Sequence, residues 1–161
     1  MMKIAIHAVG RMKAGPEKDL AARYLDRFAK AGPAVGLEFS GLTEIPESQA
    51  ARGPDRIREE ADRLAGASLG DAVLVLLDER GRNLTSQAFA ENLASWRDQG
   101  KRTSVFAIGG PDGHDPRLRD KAGLVWSFGA LTWPHQLVRV MLAEQLYRAA
   151  TILSGHPYHR A

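Results

Sequence analysis

Gly109-Gly110-Pro111-Asp112-Gly113 is the first stretch whose residue types suit a ligand. It follows the apolar run Thr103 to Ile108, which reads as a buried strand. Glycines at a strand end let the backbone approach a ligand closely and aim N–H groups at it. The same spacing also makes a tight strand-to-helix turn. It matches neither the dinucleotide fingerprint nor a phosphate loop with its Lys-Ser/Thr. A second stretch, Phe128-Gly129-Ala130-Leu131-Thr132-Trp133, lies between the apolar run Leu124 to Phe128 and Pro134. An uncharged loop of this kind can wrap a ring and read it through backbone groups; it can equally be a plain crossing loop. Near the C-terminus, Tyr158-His159-Arg160 puts a phenol, an imidazole and a guanidinium side by side, although chain ends are ordinarily inert.

A long helix, His135 to Ser154, must position the residues between these stretches. Leu137, Val138, Met141, Leu142, Leu146, Ala149, Ile152 and Leu153 form a face too wide for one-sided packing. Such breadth implies burial against the core and against a second surface, such as a partner subunit. Arg139, Glu144 and Arg148 fall on its polar side. Glu144 and Arg148 are an i,i+4 pair that supports the helix, and both arginines suit phosphate contact. Arg11 and Lys13 lie in a loop from Gly10 to Pro16. His7, Asp78 and Glu79 are single polar residues at strand ends and read as structural. No spacing of His, Asp and Glu suggests a metal, and no Ser/His/Asp arrangement can be argued.

The elements upstream are those of an α/β domain. Residues 3–9 form a first strand. Glu17 to Ala31 is a helix with Leu20, Tyr24, Leu25 and Phe28 as its stripe, stopped by Gly32-Pro33. Val35 to Leu42 alternates as a second strand. Gly41 to Gly53 is a polar connection and the one candidate for a mobile loop. Pro54 to Ala67 is a second helix with Ile57, Ala61 and Leu64 inward. Ala72 to Leu77 is a continuous apolar run, the mark of a strand buried on both faces; it ends at a turn, Asp78-Glu79-Arg80-Gly81. Thr85 or Ser86 caps a helix reaching Gln99, with Phe89, Leu93 and Trp96 on one side. Alternating strands and helices imply a mostly parallel sheet with helices on both faces, in a single domain spanning residues 1–161.

Composition agrees and excludes little more. The chain has 161 residues, 44% hydrophobic and 25% charged, enough for a real core. It has no cysteine, hence no disulfide framework or thiolate metal site. The N-terminus reads as a first strand, not a signal peptide, and no apolar run approaches the roughly 18 residues of a membrane span. The net charge of +3 is only mildly basic and does not by itself argue for nucleic acid. A first βα turn reading Val9-Gly10-Arg11-Met12-Lys13-Ala14 lacks the glycines of a dehydrogenase.

Taken together, Ile108 to Gly113, Ser127-x3-Leu131-Thr132-x-Pro134-His135-x2-Val138-Arg139-x4-Glu144-Gln145-x-Tyr147-Arg148-Ala149 and Pro157-Tyr158-His159-Arg160 resemble the RlmH family. So does Ala8-Val9-Gly10 after the first strand, and the likeness extends over the chain's length and element order. These are small SPOUT-class methyltransferases of large-subunit ribosomal RNA. The resemblance implies an α/β fold with a C-terminal trefoil knot and transfer of a methyl group from S-adenosylmethionine to N3 of a pseudouridine. It implies cofactor contacts at Leu77, Gly109 and Phe128 through Trp133, which decides both loops left open above. It also implies a homodimer through the last helix, in which Tyr158, His159 and Arg160 reach the other subunit's cofactor. Arg139, Arg148 and Arg160 would hold phosphate or developing negative charge. Glu144 and His135 would move protons or orient an arginine, and Arg11, His135 and Arg148 would meet the RNA. The expected partner is the assembled ribosome or its large subunit in the cytoplasm, without metal or membrane. A different RNA such as transfer RNA, or a non-catalytic ribosome-binding role, are the competing expectations. Two departures from the family stand out: Phe128-Gly129-Ala130 replaces bulkier or more polar residues, and Trp133 a smaller apolar one, which bears on the pocket's shape.

Overall fold

The run Val73 to Leu77 is buried on both sides because its residues alternate between two cores. Val73, Val75 and Leu77 face one helical layer, Leu74 and Leu76 the other. The computed structural model describes residues 1–66 and 71–160. Its strands are β1 (Met2–Val9), β2 (Leu37–Ile45), β3 (Val73–Asn83), β4 (Thr103–Ile108) and β5 (Leu124–Ser127). All pair in parallel, in the order β2-β1-β4-β3-β5. The helices α1 (Pro16–Ala31), α3 (Ser86–Asp98) and α5 (His135–Ser154) cover one face; α2 (Gly53–Gly66) and α4 (Pro116–Lys121) cover the other. The larger core joins Phe28 of α1, Phe89 and Leu93 of α3 and Leu142 and Leu146 of α5 to Ile4, Ile6, Phe106 and Trp126. Ala61, Leu64 and Leu118 close the second core.

The ends of α3 and α5 follow from local chemistry. Thr85 caps α3, its side chain accepting from the Ala88 N–H at 3.0 Å. Gly155, with φ 74°, ends α5 in the left-handed conformation that glycine adopts without strain. After β5 at the sheet's edge, α5 runs back across α1 and α3. That return path is consistent with the knotted threading expected of the C-terminal third.

Three local expectations change. β3 does not turn at Asp78; it continues to Asn83, with a register shift between Leu77 and Arg82 where it rejoins β5. Val35 is in a one-turn 3-10 helix, Pro33–Val35, so β2 begins only at Leu37. β2 then runs through Gly41 to Ile45, a bulge falling where Gly41 takes φ 118°. Finally, a short helix, α4, follows the Gly109 to Gly113 turn, in line with its strand-to-helix reading, and is started by Asp115, whose side chain accepts from the Arg117 N–H at 2.8 Å. Ala67, read as the end of the second helix, lies outside the described residues.

Candidate active site

The carboxyl ends of β3, β4 and β5 surround a cavity of about 260 Å³, near the lower end of the range for small-molecule pockets. Its apolar wall is Leu77, Ile108, Trp126, Phe128 and Val138. An aromatic ladder stiffens that wall. Phe89 stacks on Trp126 with centroids 4.1 Å apart, and Phe128 meets Trp126 edge-on at 4.8 Å. Gly109 and Gly110 form the rim, where an added side chain would crowd its neighbours. A Cβ on Gly110 would stand 2.9 Å from Glu60 Oε1, and one on Gly109 would stand 3.2 Å from His114 Cε1.

The opposite lip is the stretch from Phe128 to Trp133. Ser127 Oγ accepts from the Gly129 N–H at 3.0 Å and lies 3.1 Å from the Glu79 carbonyl. Thr132 Oγ1 donates to Glu79 Oε2 at 3.0 Å. The polar end of β3 therefore fixes the lip from below. Of the expected cofactor contacts, Leu77, Gly109, Phe128, Gly129, Leu131, Thr132 and Trp133 all line the cavity, and Ala130 does not. His135, expected to meet RNA, lines it too.

His114 is a lining residue that sequence reasoning missed. It is buried, and neither ring nitrogen has a hydrogen-bond partner among the described residues. The carbonyls of Ala107 and Leu77 lie close without reaching hydrogen-bond geometry. Burial lowers the imidazole's pKa and favours the neutral ring, against the pull of nearby Asp78. Trp126 Nε1 and Trp133 Nε1 are likewise buried without partners. Unpartnered donors beside an apolar wall fit a ligand that joins a flat ring to polar groups.

Arg139 does not sit on a polar face. It is 6% exposed, donating to Glu44 Oε2 at 2.6 Å and to the Gly10 carbonyl at 2.7 Å. The same Glu44 oxygen accepts from the Met12 N–H at 2.7 Å. Arg139 thus ties α5 to β2 and to the loop that carries the exposed Arg11. Burial alone would raise the Glu44 pKa, but the Met12 N–H and the Arg139 guanidinium outweigh it and hold the carboxyl below its usual range. A depressed carboxyl stabilises the fold above its unfolded value and loses that contribution as pH falls through the folded one. Arg139→Met should therefore cost about 2 kcal/mol near neutrality, between buried and surface ion pairs because Glu44 keeps some solvent. Urea denaturation across pH should show this gap closing below the ordinary carboxylate range.

Glu144, Arg148, Tyr158 and His159 form a second cluster. Glu144 Oε1 accepts from Arg148 Nε at 2.8 Å and from the Tyr158 hydroxyl at 2.9 Å. The Arg148 guanidinium lies 4.7 Å over the Tyr158 ring, and Tyr147 packs edge-on against that ring at 4.8 Å. Burial and the Glu144 carboxylate raise the Tyr158 pKa, so its phenol stays protonated. Burial alone would lower the Arg148 pKa, but Glu144 raises it. Arg148 Nη1 is 3.1 Å from His159 Nδ1. A guanidinium can only donate, so Nδ1 accepts and the ring proton sits on Nε2. The chain's end is thus folded back onto α5, with Arg160 exposed beside it.

The Arg148 end of this cluster stands apart from the cavity of its own chain. Arg148 lies ten residues beyond Val138, the last lining residue of α5, or about 15 Å along the helix. Between them runs a groove lined by Leu20, Tyr24, Trp126, Phe128, Met141 and Glu144. Leu20 is more exposed than a core stripe residue should be. The inward face of α1 is carried by Ala21 and Phe28 instead.

An all-parallel α/β sheet with α5 returning across it, and a cavity built by the loops after β4 and β5, is the architecture of a SPOUT-class methyltransferase. The family model described as "Predicted SPOUT methyltransferase" matches residues 2–159, and the chain belongs to that family. It is 64% identical over 160 residues to the ribosomal RNA large subunit methyltransferase H of Mesorhizobium japonicum, covering 99% of this chain and 100% of that one. Proteins of the same name from Rhizobium rhizogenes and Brucella anthropi are 62% and 59% identical, over 99% of this chain and 99% and 100% of theirs. Among solved structures, a probable methylase family protein from Haemophilus influenzae superposes with a TM-score of 0.55 at 12% identity. That match covers 99% of this chain and 70% of that one, and at this identity it bears on the fold alone.

Proposed function

We propose that this chain transfers a methyl group from S-adenosylmethionine to large-subunit ribosomal RNA, at N3 of a pseudouridine. One observation carries the reading: the end of β3 and both uncharged loops converge on one cavity whose buried ring nitrogens have no hydrogen-bond partner among the described residues. Membership of a methyltransferase family and the printed name of full-length relatives support it. Bound in the cavity, S-adenosylmethionine supplies a methyl group on a positively charged sulfur, an electrophile that needs alignment more than activation. Leu77, Ile108 and Val138 exclude water, Trp126 and Phe128 offer faces to a flat ring, and the indole and imidazole nitrogens orient its polar groups. Holding two reacting groups in line can supply about 7–11 kcal/mol of a barrier.

The second half of the site comes from another copy. Its α5 meets the first through the exposed Leu137 and half-buried Met141, which leaves the tail of one protomer over the cavity of its partner. The tail works by donation. Tyr158 keeps its proton, His159 carries its own on Nε2, and Arg148 and Arg160 are cationic. His159, Arg148 and Arg160 stabilise the anion left when the imide loses its N3 proton, while Tyr158, whose one proton goes to Glu144, holds that carboxylate and Arg148 in place; the N3 proton leaves to solvent. Arg139 acts through position, holding the Arg11 loop where RNA phosphate can meet it. A protein acting on ribosomes works in the cytoplasm, and among the described residues no helix is long and apolar enough to cross a membrane. No group of His, Cys, Asp or Glu among them could hold a metal.

Purified protein with methyl-labelled cofactor should label large subunits or whole ribosomes and leave transfer RNA unlabelled. Mass spectrometry of ribosomal RNA from a strain lacking the protein should show one methyl group missing from a pseudouridine. Labelling of transfer RNA alone would overturn the substrate, and an unchanged ribosomal RNA would overturn the reaction.

A further inference from the structure

Three carboxylates line the cavity, Asp78, Glu79 and Asp112, against one guanidinium, Arg80. Two of the three are already neutralised. Asp78 is ion-paired with Arg119, and Arg80 leans on it at 3.8 Å. Asp112 receives both Nε and Nη2 of Arg56, at 2.7 and 3.3 Å. Glu79 has no cationic partner among the described residues. Its Oε2 takes only the Thr132 hydroxyl, and its Oε1 takes nothing. Its placement is nevertheless set twice, by that hydroxyl and by Ser127 Oγ on its backbone carbonyl. An exposed carboxylate at the cavity's edge, held by a neutral donor while its neighbours are ion-paired, is placed to face a cation.

We propose that Glu79 is a specificity-determining residue whose carboxylate faces the sulfonium of S-adenosylmethionine and so distinguishes the donor from its demethylated product, S-adenosylhomocysteine. This rests on the cavity being the S-adenosylmethionine site. Donor and product share adenine, ribose, amino and carboxyl groups and differ in the methyl group and the charge at sulfur. Walls that read only the shared parts would hold the product as tightly as the donor and slow its release. One uncompensated charge at the lip biases occupancy toward the cation without changing any other contact.

Calorimetric titration of the full chain with each ligand at low salt tests this. Glu79→Gln keeps an oxygen for Thr132 and removes the charge. It should weaken S-adenosylmethionine binding about three- to tenfold and shift S-adenosylhomocysteine by less than about twofold, with the difference shrinking at about 0.5 M salt. Thr132→Val keeps the charge and releases the latch, so it should move both ligands together. Equal weakening of both ligands by Glu79→Gln, or no change in either, overturns the assignment and leaves Glu79 as a support for the lip. If the unaltered chain binds neither ligand, the cavity reading itself falls, a result distinct from either of those.

Discussion

A chain ending at Pro157 transfers methyl groups about a thousandfold more slowly or worse, since the donors over the reacting base are gone, yet binds S-adenosylmethionine with a dissociation constant within about twofold of normal. The separation follows from distance. The tail packs on Glu144, Tyr147 and Arg148, and the last two of these lie more than two helical turns from the last residue of α5 that lines the cavity. Calorimetry reads the first half and single-turnover transfer the second. Tyr158→Phe is the milder companion. It removes one donor to Glu144 and should slow transfer about ten- to a hundredfold without altering the pH profile, because the phenol does not titrate near neutrality. Mixed dimers decide whether the tail acts across the interface. Gly129 lies on the lip at φ 123°, with nothing within 4 Å of an added Cβ, so Gly129→Val strains the lip and narrows the cavity without a clash in the core. A truncated protomer paired with a Gly129→Val protomer keeps one sound cavity and one sound tail on different chains. Activity recovered in that mixture places the tail in trans; a mixture as inactive as its parents, or full activity of the truncated chain, overturns the composite site.

The parts legible in the sequence are those set by short-range rules. Apolar patterning gave the first strand, a continuous apolar run gave the core of β3, and Thr85 announced α3. What escaped depends on partners far along the chain. Asp78 to Asn83 is polar and glycine-containing, so it reads as a turn; it is held extended by pairing with Trp126 and Ser127, which no local pattern encodes. Arg139 reads with Glu144 and Arg148 as part of a polar side of α5, but its partner is Glu44, 95 positions away. α4 has six residues, too few to show a period, although Asp115-Pro116 is a start signal that could have found it. His114 was hidden among turn residues, and only burial beneath Gly109 marks it. The cavity loops became legible through resemblance, since their own spacing served a turn as well as a ligand. Glu79, read as structural, does support the lip, through Thr132 on its carboxylate and Ser127 on its carbonyl.

Gly81→Ala should lower stability by about 3 kcal/mol, at the upper end of overpacking costs, and weaken S-adenosylmethionine at least about tenfold, although residue 81 need touch no ligand. A Cβ there would stand 2.5 Å from the Val125 carbonyl oxygen and 2.8 Å from the Trp126 nitrogen. Both are backbone atoms, so no rotamer change relieves the contact and β3 must move away from β5. That movement separates Arg82 from Trp126 and Asn83 from Ser127, and carries off the Glu79 carbonyl and carboxylate that hold Ser127 and Thr132. The lip of the cavity then loses its support while the Phe89–Trp126 stack shifts beneath it. For a chain of this length the melting temperature should fall by about 6–12 °C. Gly66→Ala is the control. Its added Cβ meets nothing within 4 Å among the described residues, so it should change stability by no more than about 1 kcal/mol and leave cofactor binding untouched. Unaltered melting and binding in Gly81→Ala would mean that the polar end of β3 is not clamped to β5. A loss of binding that tracks the loss of β3–β5 pairing would instead place Gly81 in the molecule for one reason: two strands meet there too closely for any side chain, and the cavity hangs on their contact.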